Sequence, residues 1–144
     1  TLFRFPCEFY QGREMEGIVV GGNVRCFLKL AGTAYFPDLS DKVLLLESLG
    51  GTVPQMLTYF GQLHQLGAFE QVRGILLGTF TQMEREKCSP DVWTLLRRFV
   101  GSELPVAKTA FVGHGTDSKA VCVGEYRKFE VTVQTRTLHL LQSP

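Results

Sequence analysis

Lys42-Val43-Leu44-Leu45-Leu46-Glu47 sets four apolar residues side by side without alternation, then an acid, with Gly50-Gly51 just beyond. A strand wetted on one face alternates polar and apolar residues. An unbroken apolar block predicts instead a strand covered on both faces, as in parallel sheets flanked by helices. Gly74-Ile75-Leu76-Leu77-Gly78 is a second such block, and Val106 to Val112 reads as a third strand, running into Gly113-His114-Gly115. Between the first two, Pro54 suits the first turn of a helix, Met56, Leu57, Phe60 and Leu63 supply its apolar face, and Gly67 ends it. Between the second and third, Ser89-Pro90-Asp91 predicts a helix start with Ser89 as its cap. Val92, Leu95, Leu96, Phe99 and Val100 then recur at helical spacing until Gly101.

Strand, helix, strand, helix, strand implies two right-handed crossovers and three parallel strands whose carboxyl ends lie together. Upstream, short strands and turns lead through Ile18-Val19-Val20 to Gly21-Gly22-Asn23, where Asn23 caps a helix running from Val24 to Leu30 and stopped by Gly32. Downstream, Ala120 to Val123 and the β-branched alternation through Val131, Val133 and Leu138 predict antiparallel strands in a separate small sheet. The expected fold class is α/β: a parallel βαβαβ core with a small antiparallel sheet. With 144 residues and 44% hydrophobic content, one domain over residues 1–144 can bury a single core.

Fifteen basic residues against fourteen acidic ones give a net charge of +1 with no basic cluster, which argues against a nucleic-acid or membrane-surface partner. No apolar run approaches the roughly 20 residues that span a bilayer. Cys7, Cys26, Cys88 and Cys122 lack metal or redox spacing, and no cofactor motif is present. Cys26 and Cys122 lie in apolar segments and read as small buried hydrophobes, which implies reduced thiols and a cytoplasmic setting.

The chemistry concentrates where the strands end. Glu47 closes the first strand and His114 follows the third, so the topology carries both to the carboxyl ends, where α/β proteins usually bind ligands. A carboxylate on the imidazole Nδ1–H would hold the tautomer a general base needs. The nucleophile is missing: Ser40, Ser48, Ser89, Ser102, Ser118 and Ser143 offer no strained strand-to-helix elbow. Ser48 and Ser118 lie nearest the pair in sequence but lack the small-residue setting of an exposed nucleophile. His64, on a helix face with Phe60 and Met56, and His139, alternating among strand residues, read as packing residues. Gly21-Gly22-Asn23 looks like a phosphate cradle only superficially, without a Walker lysine or third spaced glycine.

Gly21-Gly22-Asn23 opening a helix, the apolar strand ending at Glu47, and Gly113-His114-Gly115, in this order, resemble the LD-carboxypeptidase family. Leu30-Ala31-Gly32-Thr33, Pro37-Asp38-Leu39, Gly74 to Gly78 with Phe80, and Pro105-Val106 extend the likeness over most of Gly17 to Gly124. The family, which includes microcin-immunity proteins, builds a Ser-His-Glu triad from two domains, with the Ser and the oxyanion hole in the N-terminal one. The resemblance reaches only the C-terminal domain, a swivelling β/β/α unit. It implies that Glu47 is the triad acid, that His114 is the base, and that the nucleophile comes from an N-terminal domain of the same parent chain. The start at Thr1 without Met suggests either processing or a piece of something longer, and the resemblance favours the second.

The resemblance further implies release of terminal D-Ala from a murein tetrapeptide in the cytoplasm. Hydrolysis of an aminoacyl-nucleotide or similar amide is an alternative, and a non-catalytic binding or oligomerisation module another; a homodimer is left open. Ser48 stands where relatives often carry a second acid, and Val121-Cys122-Val123-Gly124 replaces a commoner Leu-Pro-containing turn. Met83 to Ser89 has no counterpart in the family pattern.

Overall fold

The computed structural model describes residues 4–131 and, for the backbone alone, 138–141. Its strands are β1 (Pro6–Gln11), β2 (Glu14–Asn23), β3 (Val43–Ser48), β4 (Gly74–Phe80), β5 (Val106–Lys108), β6 (Tyr126–Val131) and β7 (Leu138–Leu141). The helices are α1 (Val24–Leu28), α2 (Val53–Gln65), α3 (Ala68–Gln71), α4 (Thr81–Arg85) and α5 (Val92–Leu96).

The three expected parallel strands are present and gain a fourth. β2 pairs parallel to β3 through Val19 to Asn23, β3 to β4, and β4 to β5. The lower half of the same β2, Glu14 to Ile18, pairs antiparallel with β6. The antiparallel strands are therefore not a separate sheet. Through β2 on one side and β1 on the other they join the parallel strands, in the order β1-β5-β4-β3-β2-β6-β7, and β7 pairs back onto β1 to close a barrel.

β3 shows why its apolar block is unbroken. Val43 and Leu45 pack inside the barrel with Met15, Val19, Leu76, Ala107 and Phe129. Leu44 and Leu46 face outward, under Phe27, Met56, Phe60, Leu63 and Leu95 from the helices. Each such side chain, fully withdrawn from water, contributes roughly 1.5–3 kcal/mol.

Local signals hold where side chains can satisfy orphan amides. Asn23 Oδ1 accepts from the Cys26 N–H at 3.2 Å, and Thr52 forms a capping box with Gln55 ahead of Pro54 in α2. Gly67, at φ 70°, ends α2 in the left-handed region.

Five further expectations need correction. The cap of α5 is Asp91, whose Oδ1 accepts from the Thr94 N–H at 2.8 Å; Ser89 lies too far upstream to reach the free amides. The α5 pattern does not continue as α-helix to Val100, because Arg98 and Phe99 tighten onto carbonyls three residues back. The third strand stops at Lys108 rather than Val112: Thr109 Oγ1 donates to Pro6 O at 2.8 Å, and the chain bends away. Ala120 to Val123 is not a strand, and Val133 lies outside the described residues. Among the cysteines it is Cys7 that is buried, while Cys26 is exposed and Cys122 half-buried, because neither of the latter turns inward. Among the described residues no helix is long and apolar enough to cross a membrane.

Candidate active site

The carboxyl ends of β2, β3 and β4 build the site, with α1 and α2 above it. Alternation along β3 turns residue 47 to the barrel side, so the Glu47 carboxylate sits at the mouth of an apolar interior, 8% exposed. β4 meets it with Gly78. A Cβ there would stand 3.0 Å from Glu47 Cβ and collide with Val112 O, so only glycine lets the strand, the carboxylate and the returning loop approach one another.

That loop carries His114. Bent back after Lys108, it lies over β4, where the Thr79 N–H donates to Val112 O at 2.7 Å and the His114 N–H donates to Thr79 Oγ1 at 3.3 Å. Gly113 takes φ 137°, and a Cβ on it would strike Thr79 Oγ1. Glycine is required here for two independent reasons, left-handed backbone and close approach. Ser118 Oγ closes the loop, accepting from the Gly113 N–H at 3.1 Å and donating to Gly113 O at 2.8 Å.

The outcome is a distance of 2.8 Å between His114 Nδ1 and Glu47 Oε2. The contact is close but not aimed as a linear hydrogen bond, and Oε2 has no other polar partner among the described residues. A modest turn of the ring would align the N–H, and such bonds often tighten only when a ligand arrives. The Glu47 side chain is nearly enclosed while that of His114 remains 40% exposed, so the acid is held from behind and the base faces solvent.

In front of His114 lies an open cleft of about 570 Å³ lined by Asn23, Arg25 and Cys26 of the β2–α1 segment, Ser48 to Gly51, and Gln55 and Tyr59 of α2. Neither nearby serine is presented as a nucleophile. Ser48 is buried and donates to Gly50 O at 2.5 Å, and Ser118 is engaged within its own loop. His64 is more exposed than its helical pattern suggests, its ring 5.7 Å from Phe99 and its Nδ1 3.8 Å from Glu70. His139 lies on β7, whose side chains are outside the described residues.

Thr79, Gln55 and Arg25 escaped the sequence reading. Thr79 had a signal in its place right after the Gly78 that ends an apolar block; Gln55 and Arg25 had none beyond belonging to helix starts.

Known proteins share this arrangement of strands. The family described as LD-carboxypeptidase C-terminal domain matches residues 16–128. A Treponema pallidum (strain Nichols) protein provisionally named a carboxypeptidase is 29% identical over 142 residues, 94% of this chain and 41% of that protein. The Escherichia coli microcin C7 self-immunity protein MccF is 28% identical over 78 residues, 54% of this chain and 23% of the relative. The solved structure of an MccF-like protein from Bacillus anthracis str. Ames superposes with a TM-score of 0.77 at 25% identity, covering 95% of this chain and 43% of that one. The chain thus spans less than half the length of these relatives.

Proposed function

The chain belongs to the LD-carboxypeptidase C-terminal domain family, and on that premise we propose that it is the acid–base half of a serine carboxypeptidase site, with Glu47 and His114 as two members of a Ser-His-Glu triad. The observation that carries this reading is the 2.8 Å approach of His114 Nδ1 to Glu47 Oε2 at the carboxyl ends of the parallel strands. With Nδ1 held by the carboxylate, Nε2 is the nitrogen left to accept a proton from a serine hydroxyl. The carboxylate then stabilises the imidazolium until its proton passes to the leaving amine.

The nucleophile and the oxyanion donors are assigned to an N-terminal domain of the same parent protein. The substrate is a murein tetrapeptide in the cytoplasm, and the reaction releases its terminal D-Ala. The test is D-Ala release by the intact protein and by this chain alone. Turnover by the intact protein and none by the chain is the expected outcome, since an imidazole without its serine has no proton to take. Robust turnover by the chain alone would overturn the division of labour.

Likeness to the microcin C7 self-immunity protein favours a second reading, in which the same pair hydrolyses an aminoacyl-nucleotide amide. Assaying both substrates with the same enzyme separates the two.

A further inference from the structure

Two amides on the cleft walls have their oxygens already committed. Asn23 Oδ1 accepts from the Cys26 N–H at 3.2 Å, and Gln55 Oε1 accepts from the Thr52 N–H at 2.9 Å. These helix-capping duties fix which way each amide lies. Both line the cleft, and what each has left to offer is its NH2 group, which has no partner among the described residues.

Arg25 lines the same cleft, exposed, and with no carboxylate within 4 Å among the described residues. Among the described residues no acidic side chain lines the cleft; Glu47 lies behind His114, and the next position is the neutral Ser48. A wall of donors and one cation, without a competing carboxylate, is matched to a group that is all acceptor and negatively charged.

We propose that this cleft is an anion-receiving subsite, in which Arg25 pairs with a carboxylate or phosphate of the substrate and the Gln55 and Asn23 amides donate to its remaining oxygens. The proposal rests on the acid–base reading of the site and deepens it by assigning the charge of the substrate. Two sources carry this chemistry: the free C-terminus of a peptide and the phosphate of a nucleotide. Arg25 is a specificity residue here, not a catalytic one, because binding the anion alike in ground and transition states changes KM rather than kcat.

The experiment uses the intact protein and its Arg25→Gln and Arg25→Lys variants. It measures steady-state kinetics on a tetrapeptide ending in D-Ala and on the matching C-terminal carboxamide, together with equilibrium binding of AMP. If the C-terminus is the anion, Arg25→Gln raises KM for the acid roughly tenfold or more, keeps kcat within about twofold, and leaves the carboxamide unchanged. If phosphate is the anion, the AMP Kd rises by a similar factor. Arg25→Lys should recover part of either loss, since it keeps the charge without the planar fork. No effect of Arg25→Gln on the peptide KM or the AMP Kd would overturn the subsite, as would the absence of saturable binding of both. Failure of the unmodified protein to turn over the peptide, with Arg25-dependent AMP binding intact, would instead strike the carboxypeptidase reading and leave the subsite standing.

Discussion

Two acid–base pairs flank the carboxyl end of β4, one from each neighbouring strand, and they are built in opposite ways. On the β5 side, Lys108 Nζ lies 2.6 Å from Glu84 Oε1 and donates to Gly78 O at 2.7 Å, while Glu84 Oε1 also accepts from the Phe80 N–H at 3.1 Å. The charges of this pair are tied into backbone groups. On the β3 side, Glu47 Oε2 has only His114 for a partner among the described residues, and the imidazole opens onto a cleft. A network with its bonds made holds a fold in place; a buried carboxylate with one titratable partner has interaction energy left for chemistry.

The largest effect should separate the two pairs outright. His114→Ala in the intact protein is expected to lower kcat by roughly 10^4-fold or more, with Glu47→Gln milder because nucleophile and base both survive it. Peptide turnover assays check this, and normal kcat in His114→Ala would erase the distinction. Gly113→Ala comes next: the new Cβ meets Thr79 Oγ1 in a backbone region disfavoured for alanine, so about 2–4 kcal/mol of stability should be lost. Denaturant unfolding measures that loss, and kcat should fall in the molecules that remain folded.

The Lys108 pair should answer differently. Lys108→Met is expected to cost about 1–3 kcal/mol of stability by leaving Gly78 O without its side-chain donor and Glu84 without its cation, while kcat changes only a few-fold. A collapse of kcat with stability intact would mean that both pairs serve the reaction.

The effect confined to the narrowest conditions is an alkaline pH dependence on the same side of β4. Burial pushes the Cys7 thiol up to about 12, only partly opposed by its hydrogen bond with Thr109. The unfolded chain gives up that proton near pH 9 and the folded chain holds it, so the contribution is complete below about 9 and is lost as pH rises towards 12, by at most about 1.4 kcal/mol per unit. Comparing unfolding of Cys7→Ala with the parent from neutral to alkaline pH tests this; equal slopes above pH 9 would refute it.

The parallel half was legible because its signals are local. Val43 to Leu46 and Ile75 to Leu77 carry double-sided burial in their composition, and Asn23 and Pro54 mark helix starts within a few residues. Glu47 and His114 could be placed at one side of the sheet because topology carries both strand ends there, although the loop that brings His114 onto Glu47 starts from the bend after Lys108. Barrel closure could not be read. Half of β2 is parallel and half antiparallel, a property of its partners β3 and β6 rather than of its own alternation. The bend after Lys108 depends on Thr109 reaching Pro6, far away in sequence, and so did the loop that Thr79 secures.

The closure of the strand ring has a consequence for how the molecule meets others. An open sheet ends in two rows of unpaired N–H and C=O groups, each a template for a strand of another chain. Here β1 lies between β5 and β7, and β7 between β1 and β6, so the ring has no terminal strand. Cross-chain pairing, and the aggregation that grows from it, would first require β1 or β7 to peel away and bare the flank of its neighbour.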